Sequence, residues 1–227
     1  MASGKMYNLT FDTTGSSCSI VLKKDDEIID IFEKSMDFGQ SEELMIQIKN
    51  ILQNNSLTFA DIGALFVCVG PGSFTGVRSS ISAARVFSIA CPDLKVGGVS
   101  AFDAYINTMT TDETADINAV IIETRRDDFY IQIFDKNLNK ISEPCALDRV
   151  AIIEKLKNFG CAVSMVGDGV ERFLSLPSGL CLKSIKILDC LPVKVLAQTG
   201  LKQLKDKKIN YPKPLYLRAP DVSIPKS

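Results

Sequence analysis

The residues of this chain that could do chemistry gather at three glycine-marked corners. Asp12-Thr13-Thr14-Gly15-Ser16-Ser17 follows a short alternating segment, Gly70-Pro71-Gly72-Ser73-Phe74-Thr75-Gly76 follows the apolar run 64–69, and Gly167-Asp168-Gly169 follows the run 162–166. A glycine-rich turn that opens a helix offers unpaired N–H groups and the positive end of the helix dipole, the usual means of binding phosphate. A strand-end carboxylate such as Asp12 can orient a metal-bound water or a nucleotide phosphate, or simply cap its own turn. The middle corner reads G-x-G-x-x-x-G. That is not the G-x-G-x-x-G of dinucleotide sites, and no G-K-[ST] follows to make a P-loop. It therefore admits two readings: an anion cradle, or a corner whose glycines supply unusual backbone angles and close approach. Arg78 suits an ion pair as well as a ligand, and Ser73 has no neighbouring base to make it a nucleophile. Gly167-Asp168-Gly169 is either a close approach to a ligand or a plain turn. The dense corner Glu123, Arg125, Arg126, Asp127, Asp128 is either a solvated hairpin or a contact.

Composition removes whole reaction classes. There is no histidine among the 227 residues, so Ser-His-Asp and Cys-His hydrolysis, H-E-x-x-H proteolysis and imidazole metal sites are excluded. Cysteines number seven, an odd count without a C-x-x-C pair, which fits reduced thiols and a cytosolic location. With 26 basic and 27 acidic residues no general attraction to nucleic acid is implied. No apolar run of about 18 residues exists, and Met1-Ala2-Ser3-Gly4-Lys5 reads as a leader ahead of Met6.

The elements that must position these corners can be traced along the chain. Residues 7–12, 18–22 and 28–33 form an antiparallel three-strand meander. A helix follows with Ser41 as its N-cap, an apolar stripe of Leu44, Ile48, Ile51 and Leu52, Met45 beside the stripe and Ile46 on the far side. Thr58 to Asp61 reads as one more helical turn before the central strand. The helix after the middle corner begins near Val77 and ends before Pro92; Ser79 with Ala83 and Ser80 with Ala84 are small pairs that let another helix approach. A strand at 94–99 precedes a helix capped by Ser100 and reaching about Met109. The polar stretch 110–114 divides the chain into domains 1–110 and 111–227. Beyond it come strands at 117–123, 129–134 and 138–143, a helix at 149–157, a strand at 162–166, and a last helix from Pro192 to about Leu204. The proline-rich tail 211–218 is expected to run extended over the surface. Both halves open with a meander and continue with helix and strand, as a duplicated α/β unit whose second copy is incomplete.

A set of these residues is more specific than any one of them. Asp12-Thr13, the run Gly70-Pro71-Gly72-Ser73-Phe74-Thr75-Gly76-Val77-Arg78, Gly98-Val99-Ser100, Arg125-Arg126 with Tyr130, Val166-Gly167-Asp168-Gly169 and Pro214-Leu215-Tyr216-Leu217-Arg218 together resemble the bacterial TsaB (YeaZ) family over nearly the whole chain. The resemblance implies an α/β, actin-like ATPase (ribonuclease H-like) fold in two lobes, the C-terminal one reduced. It implies a part in forming N6-threonylcarbamoyladenosine at position 37 of tRNAs that read codons beginning with A. The family member is a non-catalytic scaffold that pairs with its paralogue TsaD, recruits the ATPase TsaE and meets tRNA indirectly through the complex. Homodimers are expected of the isolated chain, with a cytoplasmic location and no membrane.

For individual residues the resemblance implies no catalytic and no metal group. TsaD-like proteins hold a metal with H-x-x-x-H, and here Ala101 and Tyr105 stand at those places. Asp12, Thr13, Gly167, Asp168 and Gly169 are then a vestigial nucleotide cradle, with no cofactor of the chain's own and ATP or ADP only in the assembled complex. Leu44, Met45, Ile48, Ser79, Ser80, Ala83 and Phe87 are the expected partner interface. Gly70, Pro71, Gly72, Ser73, Gly76 and Arg78 become a structural turn that sets the height of the second interface helix. Many members carry a histidine just before the first helix, where this chain has Phe38-Gly39-Gln40-Ser41. The alternatives are a small actin-like ATPase or phosphotransferase using Asp12 and the glycine turns, and a glycoprotease-like peptidase, which the residues at 101 and 105 oppose.

Overall fold

In the computed structural model, which describes residues 7–218, the chain builds the same sheet twice. The first sheet comprises β1 (Tyr7–Asp12), β2 (Ser17–Lys24), β3 (Glu27–Ser35), β4 (Ile62–Cys68) and β5 (Lys95–Val99), ordered β3-β2-β1-β4-β5. The second comprises β6 (Ile117–Glu123), β7 (Asp128–Asp135), β8 (Cys145–Asp148), β9 (Val163–Gly167) and β10 (Leu182–Ile187), and read from β8 its order is β8-β7-β6-β9-β10. Each sheet is an antiparallel meander continued by two parallel strands. The two are copies of one topology.

Helices separate the copies. The first half carries α1 (Gln40–Asn54) and α2 (Phe74–Ala90), whose Leu44, Ile48, Ile51, Leu52, Val77 and Ile81 meet Leu9, Phe11, Ile20 and Leu22 of the sheet in one core. The second half carries the shorter α4 (Arg149–Lys157) and α5 (Val170–Leu174). The remaining two helices change sides. The first half's last helix, α3 (Ala101–Ile106), packs on β6 and β9, and the second half's last helix, α6 (Val193–Lys205), packs on β1, β2, β4 and β5. The reduction of the second half thus lies in its helices, since its sheet is complete.

Several local expectations need correction. Ser41 is not the cap of α1: Gly39, at φ 85°, turns the chain into a helix that begins at Gln40 with no side-chain cap, and the Ser41 hydroxyl meets that of Ser79 at 2.6 Å instead. α2 starts at Phe74 rather than Val77, because Ser73 Oγ accepts the Gly76 N–H at 3.3 Å and caps it there. Residues 138–143 form no named strand. Ser142 Oγ takes the Ile133 N–H that a ladder carbonyl would take, Pro144 has no N–H to give, and regular pairing resumes only in β8. The tail runs extended as expected, with Tyr211, Lys213 and Tyr216 exposed, but it is tied down as well as laid on the surface. Gly98 donates to Asn210 O at 2.8 Å, Leu215 donates to Val69 O at 2.8 Å, and Pro212 is buried. The suggested leader 1–5 lies outside the described residues.

Candidate functional site

A cleft of about 910 Å³ lies between the halves, walled by Thr14 to Ser16 and Pro71 to Val77 on one side, by Glu123 to Arg126 and Asp168 on the other, and by Leu215 to Arg218 of the tail. All three glycine corners meet there. The first-strand hairpin and the helix corner of each half are mated so closely that the glycines are explained by packing alone. A Cβ on Gly72 would stand 2.5 Å from Thr14 O, and one on Gly76 1.9 Å from Thr13 O. Hydrogen bonds close the same joint: Ser73 donates to Thr14 O at 2.7 Å, Thr13 Oγ1 donates to Gly76 O at 2.8 Å, and the Thr13 and Ser80 hydroxyls are 2.7 Å apart. Gly70 sits at φ 95°, followed by a cis bond to Pro71. Arg78 extends over the Phe74 ring and donates to the Tyr216 hydroxyl at 3.0 Å, which ties the tail to α2.

The second half repeats the joint with other chemistry. Gly167, at φ 138°, would place a Cβ 2.0 Å from Ile121 O, and Gly169 presses on Ile122 and Glu123. Asp168 Oδ1 accepts the Glu123 N–H at 2.9 Å. Burial pushes the Asp168 carboxyl up to about 6, against bonds from the Glu123 N–H and the Tyr105 hydroxyl that favour its anion. Burial also resists ionisation of Glu123, but the Arg172 guanidinium at 2.6 and 2.7 Å and the Arg125 N–H outweigh it and hold that carboxyl below its usual range. Asp12 lies beneath the hairpin, fully buried, with Oδ1 accepting the Thr14 N–H at 2.9 Å; burial raises its proton affinity.

Ala101 has no donor atom, burial raises the proton affinity of the Tyr105 phenol, and no group of three candidate metal ligands occurs among the described residues. The residues do not fit a metal centre. For a polyphosphate the match is also poor. Gly72, Gly76, Gly167 and Gly169 are filled by the protein's own backbone, and the cleft wall carries Asp37, Glu42, Glu123, Asp168, Glu171 and Asp189. Its arginines are engaged: Arg125 pairs with Asp37 across the mouth at 3.5 Å, and Arg218 pairs with Asp128.

The expected interface residues divide. Leu44, Ile48, Ser80 and Phe87 are turned into the chain's own core, with Phe87 stacked on Phe59 at 4.0 Å. Ser79 and Ala83 are half-buried along the α1–α2 seam, and Met45 is exposed. The outward surface of the two helices is completed by Ile46, Val86 and Ile89, at 55%, 60% and 79% exposure. Sequence reasoning had noted Ile46 but passed over Val86 and Ile89, which the 3.6-residue period places opposite Ala84 and Phe87. It also missed the Arg172 to Glu123 pair, for which distant parts of the chain have to meet.

With this geometry in hand, likeness to known proteins becomes informative. The sequence model described as TsaD: tRNA N6-adenosine threonylcarbamoyltransferase matches residues 39–226. The tRNA threonylcarbamoyladenosine biosynthesis protein TsaB of Escherichia coli (strain K12) is 26% identical over 224 residues, covering 94% of this chain and 95% of its own. Among solved structures, YeaZ from Pseudomonas aeruginosa superposes with a TM-score of 0.77 at 17% identity, covering 93% of this chain and 100% of its own. A Bacteroides thetaiotaomicron protein with an actin-like ATPase fold superposes with a TM-score of 0.51 at 10% identity, covering 86% and 96%. The fold is therefore the actin-like one. No helix among the described residues is long and apolar enough to cross a membrane.

Proposed function

The chain belongs to the TsaB (YeaZ) proteins of the tRNA N6-adenosine threonylcarbamoyltransferase family, and on that premise we propose that it is the non-catalytic subunit of the complex that makes N6-threonylcarbamoyladenosine in tRNA. The observation that carries this reading is the pair Ala101 and Tyr105. Neither can ligate a metal as imidazole would, and burial keeps the Tyr105 phenol protonated. The partner is a TsaD-like paralogue, met through the outward surface of α1 and α2, where Met45, Val86 and Ile89 surround the small side chains of Ser79 and Ala83. That surface is apolar and narrow enough for a second helix pair to lie close. The isolated chain is expected to pair with itself through the same helices. A TsaE-like ATPase joins the assembled complex, tRNA is reached only through it, and the location is the cytoplasm.

The test is co-purification with the cognate TsaD-like protein. Ile89→Arg, at a position 79% exposed on α2, should abolish the association while leaving thermal unfolding unchanged; an unaffected complex overturns the interface. A second reading, a small ATPase or phosphotransferase, is favoured by the size of the cleft alone. Calorimetric titration of the isolated chain with ATP and magnesium separates the two. The proposal expects neither tight binding nor turnover, and clear turnover would replace it.

A further inference from the structure

The two faces of β1 and β2 are unlike. Toward α1 and α2 they present Leu9, Phe11, Cys18, Ile20 and Leu22. Toward α6 they present Asn8, Thr10 and Asp12 from one strand and Ser17 and Ser19 from the other, each 3% exposed or less. α6 covers this row. Its Val193 and Ala197 rest on Val21, which stands across the ladder from Thr10, and its Gly200 lies against Phe66, the partner of Thr10 on β4. Cys190, just ahead of α6, packs near Ser17, and Lys205 at the far end pairs with Asp26 at 3.9 Å. The helix therefore runs the full length of the row.

The polar atoms of this row are not satisfied by the protein. Both amide atoms of Asn8, the Thr10 hydroxyl, Asp12 Oδ2 and the Ser19 hydroxyl are buried and make no hydrogen bond among the described residues; neither does Gln203 Oε1 of α6. Leaving so many groups bare would cancel a large share of the net stability of an ordinary domain. The row does not match a divalent cation, since it offers one carboxylate among neutral groups and, across the ladder from Asn8, the buried side chain of Lys23, itself a cation. It does match water. Amide and hydroxyls each donate and accept, same-face neighbours on a strand lie about 7 Å apart, a gap that bridging water spans, and a buried water needs two to four polar partners.

We propose that the seam between β1–β2 and α6 binds a file of internal waters, running roughly 14 Å from Asn8 to the Asp12 carboxyl. α6 is then held to the first sheet by apolar contact on its β4 side and by water on its β1 and β2 side.

Thr10→Val keeps shape and removes only the hydroxyl, so its sign is diagnostic. In a hydrated seam it strips partners from the file, and the midpoint of thermal unfolding should fall by about 2–4 °C, with Ser19→Ala acting in the same direction. A rise in both midpoints means a dry seam and overturns the proposal. A high-resolution crystal structure should show waters bridging Asn8, Thr10 and Asp12; side chains turned to bond one another instead would overturn it. Exchanging sodium or potassium for choline at fixed ionic strength should leave the midpoint unchanged, and a clear shift would replace the waters with a bound cation.

Discussion

The two halves share a strand order and a glycine joint, yet the first covers its sheet with helices of 15 and 17 residues and the second with helices of 9 and 5. What both retain is what the cleft needs: a first-strand hairpin seated against the corner that follows the fourth strand. What only the first half retains is helix length. The second half compensates for its short α5 with arginines. Arg172 clasps Glu123 and the Asp128 carbonyl and lies 3.8 Å over the Phe129 ring, while Arg149 donates to Phe173 O at 2.7 Å and Pro177 O at 3.1 Å beyond the end of the helix. Long helices are thus dispensable for the fold. Their retention on one side only is what supports an assembly role for α1 and α2.

The largest effect that would sharpen this comparison is at the joints. Gly76→Ala and Gly167→Ala each drive a Cβ to about 2 Å from a backbone oxygen, and each should cost about 3 kcal/mol or more in urea unfolding. A mild result at Gly167 alone would show that the second joint is looser and break the parallel. Next comes Asp168. Its proton affinity is raised on folding, from an ordinary 3.8 to about 6. The folded chain therefore binds the extra proton between those values, and stability falls as pH rises through that window. Allowing for its edge on the cleft, the loss from pH 4 to 7 is about 2 kcal/mol. Asp168→Asn should flatten that part of the stability profile, and an unchanged slope would remove the second-half carboxylate from the account. The smallest effects are at the arginines. Arg172→Ala should cost about 1–2 kcal/mol and Arg78→Ala, on the exposed side of α2, less than about 1 kcal/mol; the reverse order in denaturant midpoints would contradict the idea that the second half leans on its arginines more than the first.

Much of this was readable beforehand, for reasons that differ by residue. Alternation at 7–12 and the apolar run 64–69 fixed the strands because a sheet buried on one face or both admits few other patterns. The glycine corner was legible as a corner but not as a joint, since the Thr13 and Thr14 backbone it fits lies more than fifty residues away. β10 escaped notice because its alternation, Leu182 to Ile187, sits on a sheet edge with lysines between the apolar residues, as solvated chain also reads. α5 is a helix of 5 residues, too short for any period. The extended form of the tail was legible from its prolines, but proline excludes a helix without saying what the extended chain lies against.

The crossing of α3 and α6 means that the halves are locked into each other's architecture. A chain cut in the polar stretch 110–114 would part each sheet from the helix that covers one of its faces, leaving Asn8, Thr10 and Phe66 bare on one fragment and Val120 and Val166 on the other. Each fragment is the missing piece of its sister, so neither is expected to stay soluble alone, and the two should recover one another on mixing.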